Sequence, residues 1–351
     1  MSDDLATKRP SDSVYERILP FSSDATLRDT YVNPFGDLRF GKFLEELDHT
    51  AGRIAYDHSD GFEKNLTIVT AACDRIDLLA PLPCDRDIRV LGQVNHVGRS
   101  SMEIGIRLES KVGGKFRMVA RAYFIMVAIK YGKGHPINRL EPETPDEKRR
   151  WNDALQRQEQ RRQNSANSYM LQPPSAEEGA LIHQLFLKTR SGEALGSRMG
   201  DTFRQTTVLV HPQDRNIHNK IFGGHIMRLS FEAAWSIAHI FCKNRPLFLA
   251  VDHFDFLKPV EIGSIVSFNG QVVFTGKTSF IVEIKVEVIH PQSGTTELTN
   301  VSYLTYVAVD EDRKPIPVPV VYPYTYEESL KYIDGARRYK RGKQEQARRK
   351  G

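Results

Sequence analysis

Cysteine is scarce in this chain. Cys73, Cys84 and Cys242 are the only three in 351 residues. None has CxxC or metal spacing, so a disulfide framework and a thiolate metal site are excluded and each reads as a small core residue. Long apolar runs are missing as well, and nothing approaches the roughly 18 residues that span a bilayer. Residues 1–20 hold Asp3, Asp4, Asp12 and Glu16 beside Lys8, Arg9 and Arg17. That mixture is a poor transit peptide, which should be Arg-rich and acid-poor, and it contains no secretory apolar core. The expectation is an intracellular protein without a membrane span.

A uniform basic surface is also lacking, although the net charge is +5. Residues 337–350 carry eight Lys and Arg against the single acid Glu345, a balance of +7, so the rest of the chain is about −2. Such a tail, without the interleaved aromatics that stack bases, reads as a solvated end rather than a nucleic-acid site.

What remains is ordinary globular material. Hydrophobic residues make up 40% and charged residues 26% of the chain, and the length allows two or three domains. The most informative stretch runs from Asn216 through Gly223-Gly224-His225 into an apolar pattern at Ile226, Ala233, Ile237 and Ile240. That spacing predicts a buried helix. Glycines at its start let a substrate carbonyl approach the unpaired first-turn N–H groups, and with the Asn216 amide they make a ready oxyanion site.

The same pattern occurs earlier. Asn33 precedes Gly41 by eight residues, as Asn216 precedes Gly224. Later anchors repeat in order: Asp74-Arg75-Ile76-Asp77 with Asp252-His253-Phe254-Asp255, Gly98-Arg99-Ser100-Ser101 with Gly276-Lys277-Thr278-Ser279, and Val127-Ala128 with Val307-Ala308. The offset between matched anchors drifts only slightly along the chain, as small loop insertions explain. The chain therefore holds two copies of one domain. In each copy a helix precedes four strand-like runs joined by short turns: 66–72, 88–97, 102–109 and 116–130, then 247–252, 265–275, 279–290 and 296–309. The boundaries are an N-terminal segment 1–20, a first domain 21–130, a charged connector 131–205, a second domain 206–325 and a C-terminal segment 326–351. Residues 141–163 predict an exposed helix or a mobile connector, and Ser175 with Glu178 forms a capping box opening another helix.

Asp48 is the residue that needs explaining. It lies four residues after Leu44 and three before Ala51, so helical geometry sets it among apolar positions. Burying a carboxylate costs several kcal/mol unless it is paired, and such sites are often functional. The plain alternative is a core Asp satisfied by backbone or by Arg53. The equivalent position in the second copy is Phe231, whereas the amide is kept as Asn33 and Asn216. Pairing of the copies would thus make one competent composite site, Asp48 with Asn216, and one inactive pseudo-site, Asn33 with Phe231. A single carboxylate facing an oxyanion donor suits thioester hydrolysis, because a thiolate from a thiol of pKa near ~8.5 departs without much help from a general acid. The Gly224 amide is a second candidate donor. Direct attack by Asp48 and activation of water both remain open.

The motif from His211 to Arg228, with Val251 to Phe256 and Lys258-Pro259-Val260, resembles the acyl-coenzyme A thioesterases with tandem hotdog domains, and within them a mitochondrial branch. Arg39-Phe40-Gly41, Leu44 to Asp48 and the stretch Ala176 to Phe186 carry the same likeness, which covers roughly residues 13–335. The resemblance implies an α+β double hotdog, two copies of an antiparallel sheet wrapped around a central helix, and a homotrimer of such chains. It implies acyl-CoA as substrate, fatty acid and CoA as products, no cofactor and no metal. Asp48 and Asn216 match the family's active Asp and Asn. Its CoA site maps in part to Arg99-Ser100-Ser101 and Lys277-Thr278-Ser279. The compartment implied is the mitochondrial matrix, with the cytoplasm as the alternative given residues 1–20. Two other readings stand beside this one. A hotdog hydratase or dehydratase would need a His paired with the carboxylate, and His49 should project about 100° away from Asp48. A non-catalytic acyl-CoA-binding protein would not need both Asp48 and Asn216.

Overall fold

The computed structural model describes residues 5–80, 82, 84–166, 173–191, 196–214 and 223–348. The chain divides into two compact units. The first comprises Met1–Glu159, Val210–Leu229 and His253–Gly263; the second comprises Gln160–Leu209, Ser230–Asp252 and Ser264–Gly351.

In the first unit, helix α1 (Phe40–Ser59) lies against a sheet formed by β1 (Tyr15–Leu19), β2 (Thr67–Cys73), β3 (Ile88–Val97), β4 (Ser101–Val112) and β5 (Lys115–Lys130). The strands are antiparallel in the order β1-β3-β4-β5-β2. Phe43, Leu44, Leu47, Ala51, Ile54 and Ala55 are all buried on the sheet side of α1, at roughly 1.5–3 kcal/mol for each large side chain. The helix runs over twenty residues, past the apolar stripe at both ends, with Phe40 and Gly41 buried before it and Tyr56, His58 and Ser59 after it; polar Asp48 and Thr50 are buried within the stripe.

The second unit repeats the plan. Strands β6 (Arg204–Leu209), β8 (Ile265–Thr275), β9 (Ser279–His290) and β10 (Thr295–Val309) are antiparallel neighbours in that order, with β7 (Arg245–Phe256) beside β10. The order β6-β8-β9-β10-β7 is that of the first sheet. The second central helix, α4 (Gly223–Cys242), is as long as α1 and begins at the equivalent position, Gly223 answering to Phe40. A shared packing detail supports the equivalence. A methyl group on Gly92 of β3 would sit 2.6 Å from Ile54 Cδ1, and one on Gly270 of β8 would overlap Ile237 Cδ1. The strand must lack a side chain where the helix isoleucine presses against it.

The cation-rich segments differ from their expected solvated character. Helix α2 (Pro145–Ala166) is docked rather than exposed or mobile. Ala154 is buried, the Trp151 ring meets His96 at 4.4 Å, and Arg157 lies 3.7 Å over Tyr123 while donating to Glu103 at 2.6 Å. Helix α3 (Ala176–Arg190) opens with the expected capping box. Helix α5 (Tyr326–Arg348) packs the start of the expected solvated tail: Tyr332 and Ile333 before it are buried, and Arg338 lies 3.8 Å over Tyr303 while pairing with Asp334 and Asp252, whereas Lys340 and Lys343 are exposed as expected. Arg157 and Tyr123 stand in the first copy where Arg338 and Tyr303 stand in the second, at almost the same offset, so the repeat runs on into these helices. Cation counts hid a stripe spaced at three and four residues in each.

Candidate functional site

The site grows from α1. Asp48 is 1% exposed, as its place between Leu44 and Ala51 requires. Arg53 does not satisfy it; that guanidinium pairs with Asp57 at 3.0 Å. Asp48 is held instead by two donors from elsewhere in the first unit. The Thr70 hydroxyl of β2 donates to Oδ1 at 2.6 Å, and the Gly224 N–H donates to Oδ2 at 2.6 Å. The Asp48 carboxyl is pushed up to about 6. Burial is the main cause, opposed by the Thr70 and Gly224 hydrogen bonds and reinforced by the nearby charge of Glu45.

Each donor has a local reason for its aim. Gly224 is the second residue of α4, where a backbone N–H has no partner within the helix. A Cβ on Gly224 would lie 2.8 Å from Glu45 Cα, and one on Gly223 would lie 3.0 Å from Asp48 Oδ2 and 3.3 Å from Thr70 Oγ1. Glycine is what lets the helix start reach the carboxylate. Thr70 stands at an irregularity in β2, where the register against β5 shifts between Thr70 and Ala72. A bulge of this kind re-aims a side chain.

Glu45, one turn before Asp48, carries a second charged cluster. Its Oε2 accepts from Lys42 Nζ at 2.6 Å and lies 3.4 Å from Arg228 Nε, while its Oε1 is 3.6 Å from His225 Nδ1. Glu45 is held down at about 2, with the His225 contact the largest cause.

Asn216 lies outside the described residues. Asn33 uses its side chain locally, with Oδ1 accepting from Phe35 N at 2.9 Å and Asp37 N at 3.0 Å, an Asn-closed turn. Phe231 is buried against Phe248, ring centroids 5.1 Å apart. His49 is exposed, away from Asp48. Arg99-Ser100-Ser101 forms the β3–β4 turn and Lys277-Thr278-Ser279 the β8–β9 turn. Their carbonyls are tied alike: Ser100 O accepts from Ala128 N and Arg99 O from Ile137 N, as Thr278 O does from Ala308 N and Lys277 O from Val318 N. The Arg99 and Lys277 side chains are exposed, and Ser279 Oγ meets Tyr339 OH of α5 at 3.1 Å.

Thr70 and Glu45 escaped the sequence reading. A signal for Thr70 exists: the offset that pairs Asp74 with Asp252 also pairs Thr70 with Phe248. Asp48 with Thr70 in one copy thus answers to Phe231 with Phe248 in the other.

Chemically, the arrangement is a buried carboxylate poised near neutrality, oriented by one hydroxyl and one helix-terminal amide. The thioesterase superfamily model matches residues 35–116 and 218–295. Acyl-coenzyme A thioesterase 9, mitochondrial, of Homo sapiens is 35% identical over 353 residues, covering 96% of this chain and 79% of that protein. Acyl-coenzyme A thioesterase 4, mitochondrial, of Humulus lupulus is 33% identical, covering 94% of this chain and 67% of that protein. Among solved structures, a putative oleoyl thioesterase from Lactobacillus plantarum covers 85% of this chain and 97% of its own with a TM-score of 0.53 at 10% identity, a likeness of fold. The chain belongs to the acyl-coenzyme A thioesterase family, with two hotdog repeats.

Proposed function

We propose that this acyl-CoA thioesterase cleaves its substrate with Asp48 as general base and Asn216 as the donor that receives charge on the thioester oxygen. The observation that carries the reading is Asp48 itself: buried, bonded through both oxygens, and raised to about 6. A base of that strength is ionised at neutral pH yet still able to take a proton. Water adds to the thioester carbon as its proton passes to Asp48. The tetrahedral intermediate then expels CoA thiolate, which leaves unaided and takes up a proton, and the acid is released. The Gly224 N–H, engaged by Asp48 Oδ2, orients the base, and the Thr70 hydroxyl does the same from the opposite oxygen.

Asn33 of the first copy and Phe231 of the second take the corresponding positions of the inactive pseudo-site. The turns Arg99-Ser100-Ser101 and Lys277-Thr278-Ser279 offer two exposed cations, with hydroxyls beside them, suited to the phosphates of CoA. The domain limits 21–130 and 206–325, a trimer of chains and a mitochondrial location, the last taken from the relatives, complete the proposal. The test is release of free CoA thiol from acetyl-, butyryl-, octanoyl- and palmitoyl-CoA. Wild type should turn over at least one of them, Asn216→Ala should lose roughly 10²–10³-fold in kcat, and Asn33→Ala should stay within twofold. A wild type silent on every chain length would defeat the hydrolase reading and favour an acyl-CoA-binding protein.

A further inference from the structure

Glu45 and Arg228 occupy the same position of the two repeats, by the offset that pairs Gly41 with Gly224, and so do Lys42 and His225. In the first unit these equivalent positions face one another: Glu45 Oε2 lies 3.4 Å from Arg228 Nε, and Glu45 Oε1 lies 3.6 Å from His225 Nδ1. A residue kept identical in both copies would meet its own charge here. Instead the two copies carry opposite signs.

The contact sits on the reacting group. Glu45 is three residues before Asp48 on α1, and its Cα and carbonyl oxygen would lie 2.8 and 3.0 Å from a Cβ on Gly224, whose N–H holds Asp48. Arg228 lies one turn after Gly224 on α4, with Nη2 3.3 Å from His225 Nδ1. Among the described residues, the groups that face Asp48 or this pair include Thr70 and the buried Cys73 thiol from β2, Lys42 and Glu45 from α1, and Gly224, His225 and Arg228 from α4.

We propose that Glu45 and Arg228 are opposed positioning residues for Asp48, an anion one helical turn before it on α1 and a cation one turn after Gly224 on α4, which pin the start of α4 against α1 and together set the charge against which the base works. The proposal rests on Asp48 being that base. Like charges near a carboxylate raise its proton affinity and opposite charges lower it. Glu45 and Arg228 should therefore act on Asp48 with opposite signs, which a salt bridge of structural value alone would not do.

The experiment is the pH profile of kcat/KM for CoA release, on the acyl-CoA turned over fastest by wild type, for Glu45→Gln, Arg228→Gln and the double variant. The acid limb reports ionisation of the base in the free enzyme. Glu45→Gln should move that limb to lower pH by roughly half a unit, and Arg228→Gln should move it to higher pH by a similar amount. The double variant should return close to wild type, with KM for all three within about threefold of wild type while kcat falls. Limbs that stay in place, or move in the same direction in both single variants, overturn the proposal even where activity drops. If one single variant fails to fold, the sign of the other limb's movement still decides. Asp48→Asn, run alongside, separates the two levels: full activity there defeats the base assignment itself, whereas an inactive Asp48→Asn with unmoved limbs defeats only the Glu45–Arg228 pair.

Discussion

The two repeats share nearly everything that makes the fold and differ where the chemistry would lie. Each has a 20-residue helix, the same strand order, a glycine under a helix isoleucine and a following helix clamped by an arginine over a tyrosine. In the first copy Asp48 bonds to Thr70 at 2.6 Å; in the second Phe231 and Phe248 pack edge to face at 5.1 Å. Nothing in the architecture requires the carboxylate. The aromatic pair is the inexpensive solution for a buried position, and the Asp–Thr pair costs desolvation that the fold alone does not repay. Its presence in one copy alone, with two dedicated donors, is what the proposed role as base explains.

The largest effect is expected on the aromatic side. Phe231→Asp would bury a carboxylate beside Phe248 and Tyr306 and lose a large apolar contact. A loss of about 3–5 kcal/mol is expected in denaturant unfolding, with no gain in turnover. Gly224→Ala should cost about 1–3 kcal/mol, because its methyl would meet the α1 backbone at Glu45; thermal unfolding and thiol release should both fall. Thr70→Val removes a hydroxyl that favours the ionised form of Asp48, so the acid limb of kcat/KM should move to higher pH, and activity should drop roughly tenfold, the scale of a hydrogen bond to a charged group. The smallest effect is expected at Tyr306, whose buried hydroxyl has no partner among the described residues. Tyr306→Phe should leave stability unchanged or raise it by roughly 1 kcal/mol.

Much of this was legible in the chain. Strands at Ile88–Val97, Ile265–Thr275 and Ser279–His290 begin and end where their hydropathy patterns do, and the burial of Asp48 follows from its helical spacing. Thr70 was not legible, because periodicity places a residue on a helix face but does not say which strand residue meets it, and a bulge decides the matter here. The clamps by Arg157 and Arg338 were hidden for another reason. Their helices are rich in cations, and the few packed positions, among them Trp151, Ala154, Tyr332 and Ile333, are a minority within a solvated pattern. Asn216 lies outside the described residues, so its role rests on the sequence.

The Asp48 carboxyl, raised in the folded chain from 3.8 to about 6, also makes a stability statement. Between those values the folded chain binds more protons than the unfolded one, so stability falls as pH rises through that window and the penalty is complete above it, at about 3 kcal/mol as an upper figure. Asp48→Asn removes the charge while its amide can still accept from the Gly224 N–H and donate to Thr70. The most direct measurement therefore pairs CoA thiol release with thermal unfolding of Asp48→Asn at pH 7.5 and pH 4. The account predicts a roughly 10²–10⁴-fold loss of turnover together with a higher Tm at pH 7.5, a gain that disappears at pH 4. A variant that keeps wild-type turnover, or one that loses turnover and Tm together at pH 7.5, would contradict it.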